Sequence, residues 1–160
     1  MSDFVLRELR SIDGDWIVYR HGVLYAAEYG WDERFEALVS GVMARFLEYH
    51  DPVRERGWVA EWGGRVAGSV IVRRYTDTEA RLHLLLVEPE ARGRGLGSRL
   101  VEECVLFART AGYERMSLWT NAVLADARRL YRKAGFRLLY SEPHELFGDG
   151  MVGETWGRDL

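Results

Sequence analysis

The apolar positions along the chain change period repeatedly, and each change marks an element. Phe4–Leu9 alternates and predicts a short strand. Asp15–Tyr29, "DWIVYRHGVLYAAEY", mixes periods and spreads its aromatics, so helix and strand both stay open there. "WDERFEALVSGVMARFLEYHDP" is helical, because Phe35, Leu38, Val39, Val42, Met43 and Phe46 fall on one stripe. Asp32 can cap its start, and Pro52 lies past its end. Trp58–Trp62 and Arg65–Arg74 read as strands joined by Gly63-Gly64, a two-residue hairpin turn.

Glu79–Val87 predicts a third long strand. Simple alternation sends residues 82, 84 and 86 to one face and 81, 83, 85 and 87 to the other. Leucines on both parities after Leu84 imply that its later half is covered on both sides. Leu100, Val101, Cys104, Phe107, Ala108 and Ala111 then line a helix stripe that Gly112 ends. Arg115–Thr120 is another buried strand. "LADARRLYRKAG" is a second helix, with Leu124, Ala127, Leu130, Tyr131 and Ala134 inward. "FRLLY" and "TWGRDL" close as strands. Antiparallel strands followed by one parallel strand–helix–strand crossover predict an α/β fold, a mixed and mostly antiparallel sheet flanked by helices.

Length suits one domain over residues 1–160. A formal charge of −3 provides no basic field, so nucleic acid is not an expected partner. The one cysteine, Cys104, rules out an internal disulfide or a cysteine metal cluster and fits a reducing cytoplasm; no metal is expected. "MSDFVLRELRS" lacks the apolar core of a signal peptide, and no run is long enough to span a bilayer.

Between strand and helix lies "VEPEARGRGLGSRL". A helix N-terminus offers unpaired N–H groups and partial positive charge, and Gly93, Gly95 and Gly97 let backbone and ligand approach closely. Arg92, Arg94 and Arg99 add charge near the turn, which suits a pyrophosphate. Gly97 is followed by Ser98 and Arg99, not the Lys-Ser/Thr of a Walker loop. The spacing G-x-G-x-G also departs from the dinucleotide fingerprint.

This stretch resembles the acyl-CoA loop of the GNAT superfamily of N-acetyltransferases, with Arg92, Gly95 and Gly97 in the signature positions. "LYRKAGF" (Leu130–Phe136) is similar to the family's late helix, and the strand order agrees. "RHGVLYAAEYGWDERFE" and "LWTNAVLADARRLYRKAGF" also resemble the acetyltransferase half of bacterial proteins that fuse a MarR-type DNA-binding domain to a GNAT domain. The resemblance implies the GNAT fold and acetyl transfer from acetyl-CoA to a primary amine by direct attack. It places the cofactor along Arg92, Gly93, Arg94, Gly95, Leu96, Gly97 and Ser98, with Leu85, Leu86 and Val87 pairing with the pantetheine. It makes Tyr131 the general acid for the leaving thiolate, where the helix stripe alone reads it as core. Asn121 stands ten positions before Tyr131, a wider interval than many members show, and reads equally as a cofactor contact or a helix cap.

For the base, His83 is a candidate by its alternation with residues 85 and 87, while Glu79, His21, Glu28 and Glu61 are others and ordered water is sufficient. The acceptor pocket is expected from His21–Trp31, the hairpin around Glu61 and the loop Glu142–Gly150. Tyr25, Tyr29 and Trp31 would offer stacking surfaces and Glu28 a charge for a cationic amine, unless these aromatics are core. The acceptor is a small molecule or a protein amine, and a homodimer is compatible with the resemblance. A second reading is an acyl-CoA-binding sensor or interaction domain without turnover.

Overall fold

The protein, seen in a computed structural model, is described over residues 3–49 and 51–160. The chain runs β1 (Val5–Glu8), α1 (Gly14–Tyr29), α2 (Glu33–Tyr49), β2 (Arg56–Trp62), β3 (Arg65–Arg74), β4 (Glu79–Val87), α3 (Leu96–Thr110), β5 (Arg115–Asn121), α4 (Ala125–Lys133), β6 (Arg137–His144) and β7 (Met151–Asp159). The strands form one sheet in the order β1-β2-β3-β4-β5-β7-β6. Only β4 and β5 are parallel, and α3 connects them. The mixed α/β architecture read from the sequence is therefore the one adopted.

The ambiguous segment is helix α1. Its inward stripe is Ile17, His21 and Leu24, and the same side continues to the cavity-lining Tyr25 and Glu28. Polar residues on that side and the exposed Tyr19 and Val23 on the other blur its periodicity. It lies close to α2: a Cβ on Gly22 would sit 2.8 Å from the Glu36 carboxylate. The Asp32 carboxylate accepts the Arg34 N–H at 2.9 Å, capping α2 as expected. The Gly63-Gly64 turn has positive φ at both residues, as a two-residue hairpin between right-twisted strands requires.

One face of the sheet packs on α3 and α4 through Val70, Val72, Leu82, Leu100, Val101 and Cys104. The other packs on α1 and α2 through Ile17, Met43, Phe46, Val59 and Ile71. Strand β4 changes sides between them. Its partner residues on β3 step from Ile71↔His83 to Ser69↔Leu86, so three steps on β4 oppose two on β3. Leu84 takes the extra residue, in a left-handed conformation at φ 58°.

The simple alternation is thereby corrected. Leu82 packs with the α3 face, and so do Leu85 and Val87. His83 pairs with Ile71 and shares the opposite face with Leu84. His83 is therefore not on the face of Leu85 and Val87. An odd residue in a strand inverts every side chain after it.

The pairing of β4 with β5 also stops early, at Leu82↔Leu118, although both strands continue. Past that point they diverge, and backbone from Leu84 to Val87 has no β5 partner. Strand β6 lies at the sheet edge, and its Leu138, Leu139 and Tyr140 are exposed rather than buried.

Candidate active site

The gap between β4 and β5 opens into a cavity of about 470 Å³. Leu85 and Val87 form one wall, the loop and first turn of α3 another, and Leu124, Ala127, Leu130, Arg129 and Lys133 of α4 a third. Tyr25, Glu28 and Tyr29, at the end of α1, close the remaining side. Helices from both faces of the sheet thus meet across the missing ladder.

Gly93 and Gly95 have φ of 74° and 83°, a region that L side chains rarely adopt, and a Cβ on either would point into open space. Gly95 caps α3, and the first bond back to it comes from Arg99. The N–H groups of Leu96, Gly97 and Ser98 therefore precede any intrahelical acceptor. Gly97 has a different reason to be glycine. A Cβ there would lie 2.6 Å from the Leu130 side chain, so its absence lets α3 and α4 approach.

The charges are not arranged as expected. Arg92 lines the cavity, donating to Val87 O at 3.2 Å and to Glu28 at 2.8 Å. The Glu28 carboxylate raises its pKa above the usual guanidinium value. Arg94 does not reach the cavity: its guanidinium lies 4.5 Å from the Trp62 ring centre. Arg99 is also turned away, donating to Phe4 O at 2.8 Å. The additional cations come from α4 instead. Arg129 pairs with Asp126, while Lys133 makes no ion pair among the described residues. Their i,i+4 spacing on a helix near a glycine loop was a signal available in the sequence.

A second ion pair fixes the middle of α1. Arg20 grips the buried Glu88, just past β4, through two hydrogen bonds of 2.8 and 2.6 Å. Nothing in the sequence pairs these residues, since contact across 68 positions depends on tertiary placement.

Tyr131 follows Leu130 on α4 but lies behind the cavity wall, with its ring 6.1 Å from that of Phe136. Burial raises its pKa far above the phenol range, and the nearby Tyr25 and Cys104 push it further. His83 does not line the cavity. Desolvation, then the Arg73 and Arg81 charges, lower its pKa to about 3. Leu86 is buried with its side chain on the face away from Leu85.

A second cavity of about 330 Å³ lies beside the first, and Tyr29 lines both. Gly30, Trp31, Asn121 and Gly148–Gly150 complete much of it, with Asp149 the only charged residue in its lining among the described residues. Asn121 thus belongs to this second space and not to the wall of the first. The hairpin around Glu61 reaches neither cavity, and Glu61 pairs with Arg7 at 3.0 Å. The aromatics serve two roles. Trp31 is buried against Phe147 and Phe35, while Tyr25 stacks on Trp31 at 5.0 Å with its other side on the cavity.

His21 stays outside both cavities, buried with Nδ1 donating to Ile17 O at 2.8 Å. Glu79 accepts from Ser117 at 2.7 Å on the β5 side. Among the described residues no cluster of His, Cys, Asp or Glu could hold a metal ion, and no helix is long and apolar enough to cross a membrane.

Comparison with known proteins places this geometry in context. The sequence profile of the acetyltransferase (GNAT) family matches residues 21–136. N-acetyltransferase 8 of Mus musculus is 31% identical over 119 residues, covering 71% of this chain and 52% of that protein. The chain spans about half the length of that relative and of the human N-acetyltransferase 8. The structure of yncA from Salmonella typhimurium with its cofactor acetyl-CoA superposes with a TM-score of 0.74 at 23% identity, covering 99% of this chain and 95% of that one. Ard1 from Thermoplasma volcanium gives 0.77 at 24% identity, covering 99% of both chains.

Proposed function

Because this chain belongs to the GNAT acetyltransferase family, we propose that it is an N-acetyltransferase that moves an acetyl group from acetyl-CoA to a primary amine. The observation that carries the reading is the head of α3. Positive-φ glycines and unpaired N–H groups open there onto a cavity whose other walls bring Arg92, Arg129 and Lys133. That set suits the phosphates of CoA. When bound, acetyl-CoA supplies a thioester carbonyl that the amine attacks, forming a C–N bond as the C–S bond breaks and the thiolate leaves.

The residues divide the remaining work. Backbone groups of Leu85, Leu86 and Val87, left without β5 partners, suit the amides of the pantetheine arm and a polarised carbonyl. Tyr131 is the proposed proton donor to the thiolate. Its phenol lies behind the Leu130 wall, near the cavity-lining Tyr25, so the donation requires that wall to part around the departing thiolate. Desolvation raises the proton affinity of both groups there. Water collects the amine proton in this scheme, because His83 is too weak a base and faces the wrong way. Glu28 balances Arg92 and Asp126 balances Arg129, which leaves Asp149, on the second cavity, to attract an incoming ammonium.

The two segments that resemble the MarR-fused acetyltransferases cover α1 with the start of α2, and β5 with α4. They form the facing walls of the first cavity, which supports reading them as one acyl-transfer unit. A cytoplasmic setting and a homodimer are part of the proposal.

Calorimetry with CoA, followed by thiol release from acetyl-CoA with a panel of amines, tests the reading. Absence of CoA binding would overturn it. Binding without amine-dependent thiol release would favour a sensor domain instead.

A further inference from the structure

The second cavity contains a side chain whose orientation is fixed by a neighbour. His144, at the end of β6, accepts the Leu146 backbone N–H on Nδ1 at 3.1 Å. Nδ1 is therefore the unprotonated nitrogen, and Nε2 carries the hydrogen. That hydrogen goes to the Asn121 Oδ1, 2.7 Å away. The imidazole cannot rotate freely, since its ring centre lies 5.2 Å from that of Trp119 and 5.3 Å from that of Phe147.

The carboxamide of Asn121 is thus held by its oxygen. Its amide nitrogen makes no bond to the described residues, although Asn121 is only 3% exposed. That nitrogen is not among the fully enclosed atoms lacking a partner, so it keeps an opening, and a donor pair left without a protein acceptor marks a place for water or ligand. Here the available space is the second cavity, which Asn121 lines together with Asp149.

Resting on the acyl-transfer reading above, we propose that His144 is a positioning residue that turns the Asn121 N–H pair into the second cavity, so that this cavity selects amines with a carbonyl or carboxylate oxygen close to the nitrogen. The oxygen accepts from Asn121. The ammonium, before losing its proton, is drawn to Asp149, and Tyr29 stands where the two cavities adjoin. Simple alkylamines leave the Asn121 donors unsatisfied. A site built to pair a polar group discriminates against the analogue lacking it more strongly than an apolar pocket does against a missing methylene.

The probes are L-alaninamide, L-alanine and isopropylamine, which share a branched carbon next to the amine. Each is assayed by thiol release with wild type, His144→Phe, His144→Gln and Asn121→Asp. Wild type should prefer alaninamide or alanine to isopropylamine, and the better of the two separates an amide-type from a carboxylate-type acceptor. Asn121→Asp keeps the oxygen that faces His144 and removes the N–H pair. It should lower the alaninamide preference about tenfold or more, through the acceptor KM and not the acetyl-CoA KM.

His144→Phe should act likewise, and His144→Gln, which can still donate to Asn121, should recover part of the preference. Should His144→Phe fail to fold, Asn121→Asp decides alone. Equal losses for alaninamide and isopropylamine, or a change confined to the acetyl-CoA KM, would overturn the inference. So would a wild type that binds CoA but prefers isopropylamine or accepts none of the probes. Loss of CoA binding itself would instead remove the acyl-transfer reading beneath it.

Discussion

Glu28 and Arg92 meet at 2.8 Å across the first cavity, one from the end of α1 and the other from the glycine loop. The arginine assigned to phosphate by the sequence already has a carboxylate partner. With Arg20 and Glu88, this pair ties α1 to the β4–α3 connection at two points.

A resident carboxylate competes with an incoming polyanion for the same guanidinium. Glu28→Gln should therefore tighten CoA several-fold, while Arg92→Ala should weaken it about tenfold. Titration calorimetry with CoA at low and high salt measures both, and the difference should shrink as salt rises. Weaker binding in Glu28→Gln would mean that the carboxylate positions Arg92 instead of occupying it.

The two signature glycines should fail for different reasons. Gly95→Ala forces a side chain into left-handed backbone, a cost of about 1–2 kcal/mol whatever surrounds it. Gly97→Ala should cost about 1 kcal/mol by pressing on Leu130, and Leu130→Ala should relieve it. Urea unfolding of the single and double variants gives the coupling. A Gly95→Ala defect that Leu130→Ala also repaired would contradict this division.

Tyr131→Phe should leave CoA affinity nearly intact and reduce turnover by about a hundredfold or more. The measurement is kcat under conditions where chemistry limits the rate, alongside the Kd for CoA. Full turnover would reassign the residue to packing against Phe136.

Buried His21 makes stability depend on acid. Its Nε2 has no partner among the described residues, and burial holds its pKa near 4, whereas the unfolded chain takes up that proton near 6.5. Stability is fully present above pH 6.5 and is lost as pH falls toward 4, by about 3 kcal/mol in all. His21→Leu should remove that part of the slope between pH 7 and 4 in urea titrations. An unchanged slope would mean that the imidazole gains a proton without unfolding.

The sequence revealed most where one side of an element faced one environment. The α2 stripe, the β2–β3 hairpin and the positive-φ glycines of the loop each satisfied a local demand and could be read directly, whereas Gly97 answers to Leu130 on another helix. Helix α1 resisted because its inward side carries His21 and Glu28 among the apolar residues while Tyr19 and Val23 lie exposed on the other. His83 was misplaced because nothing in "HLLLV" distinguishes a regular strand from one with an additional residue. Arg94 and Arg99 seemed equivalent to Arg92 in spacing, yet each found a partner that tertiary packing alone could supply, Trp62 for one and the Phe4 carbonyl for the other. Asn121 and His144 are 23 positions apart, and only the fold brings them together.

Leu84 gives β4 one residue more than its β3 partner accounts for. Deleting that residue would restore continuous alternation with Leu85 and Val87 still on the α3 side, but it would remove the bend that accompanies the parting of β4 from β5 after Leu82. The gap that opens into the first cavity would narrow without the loss of any residue that lines it. Length, as much as side-chain identity, is inherited information at this point of the chain. A lineage could change every leucine in "LLL" to another apolar residue and keep the site, yet a single in-frame codon loss there would dismantle it.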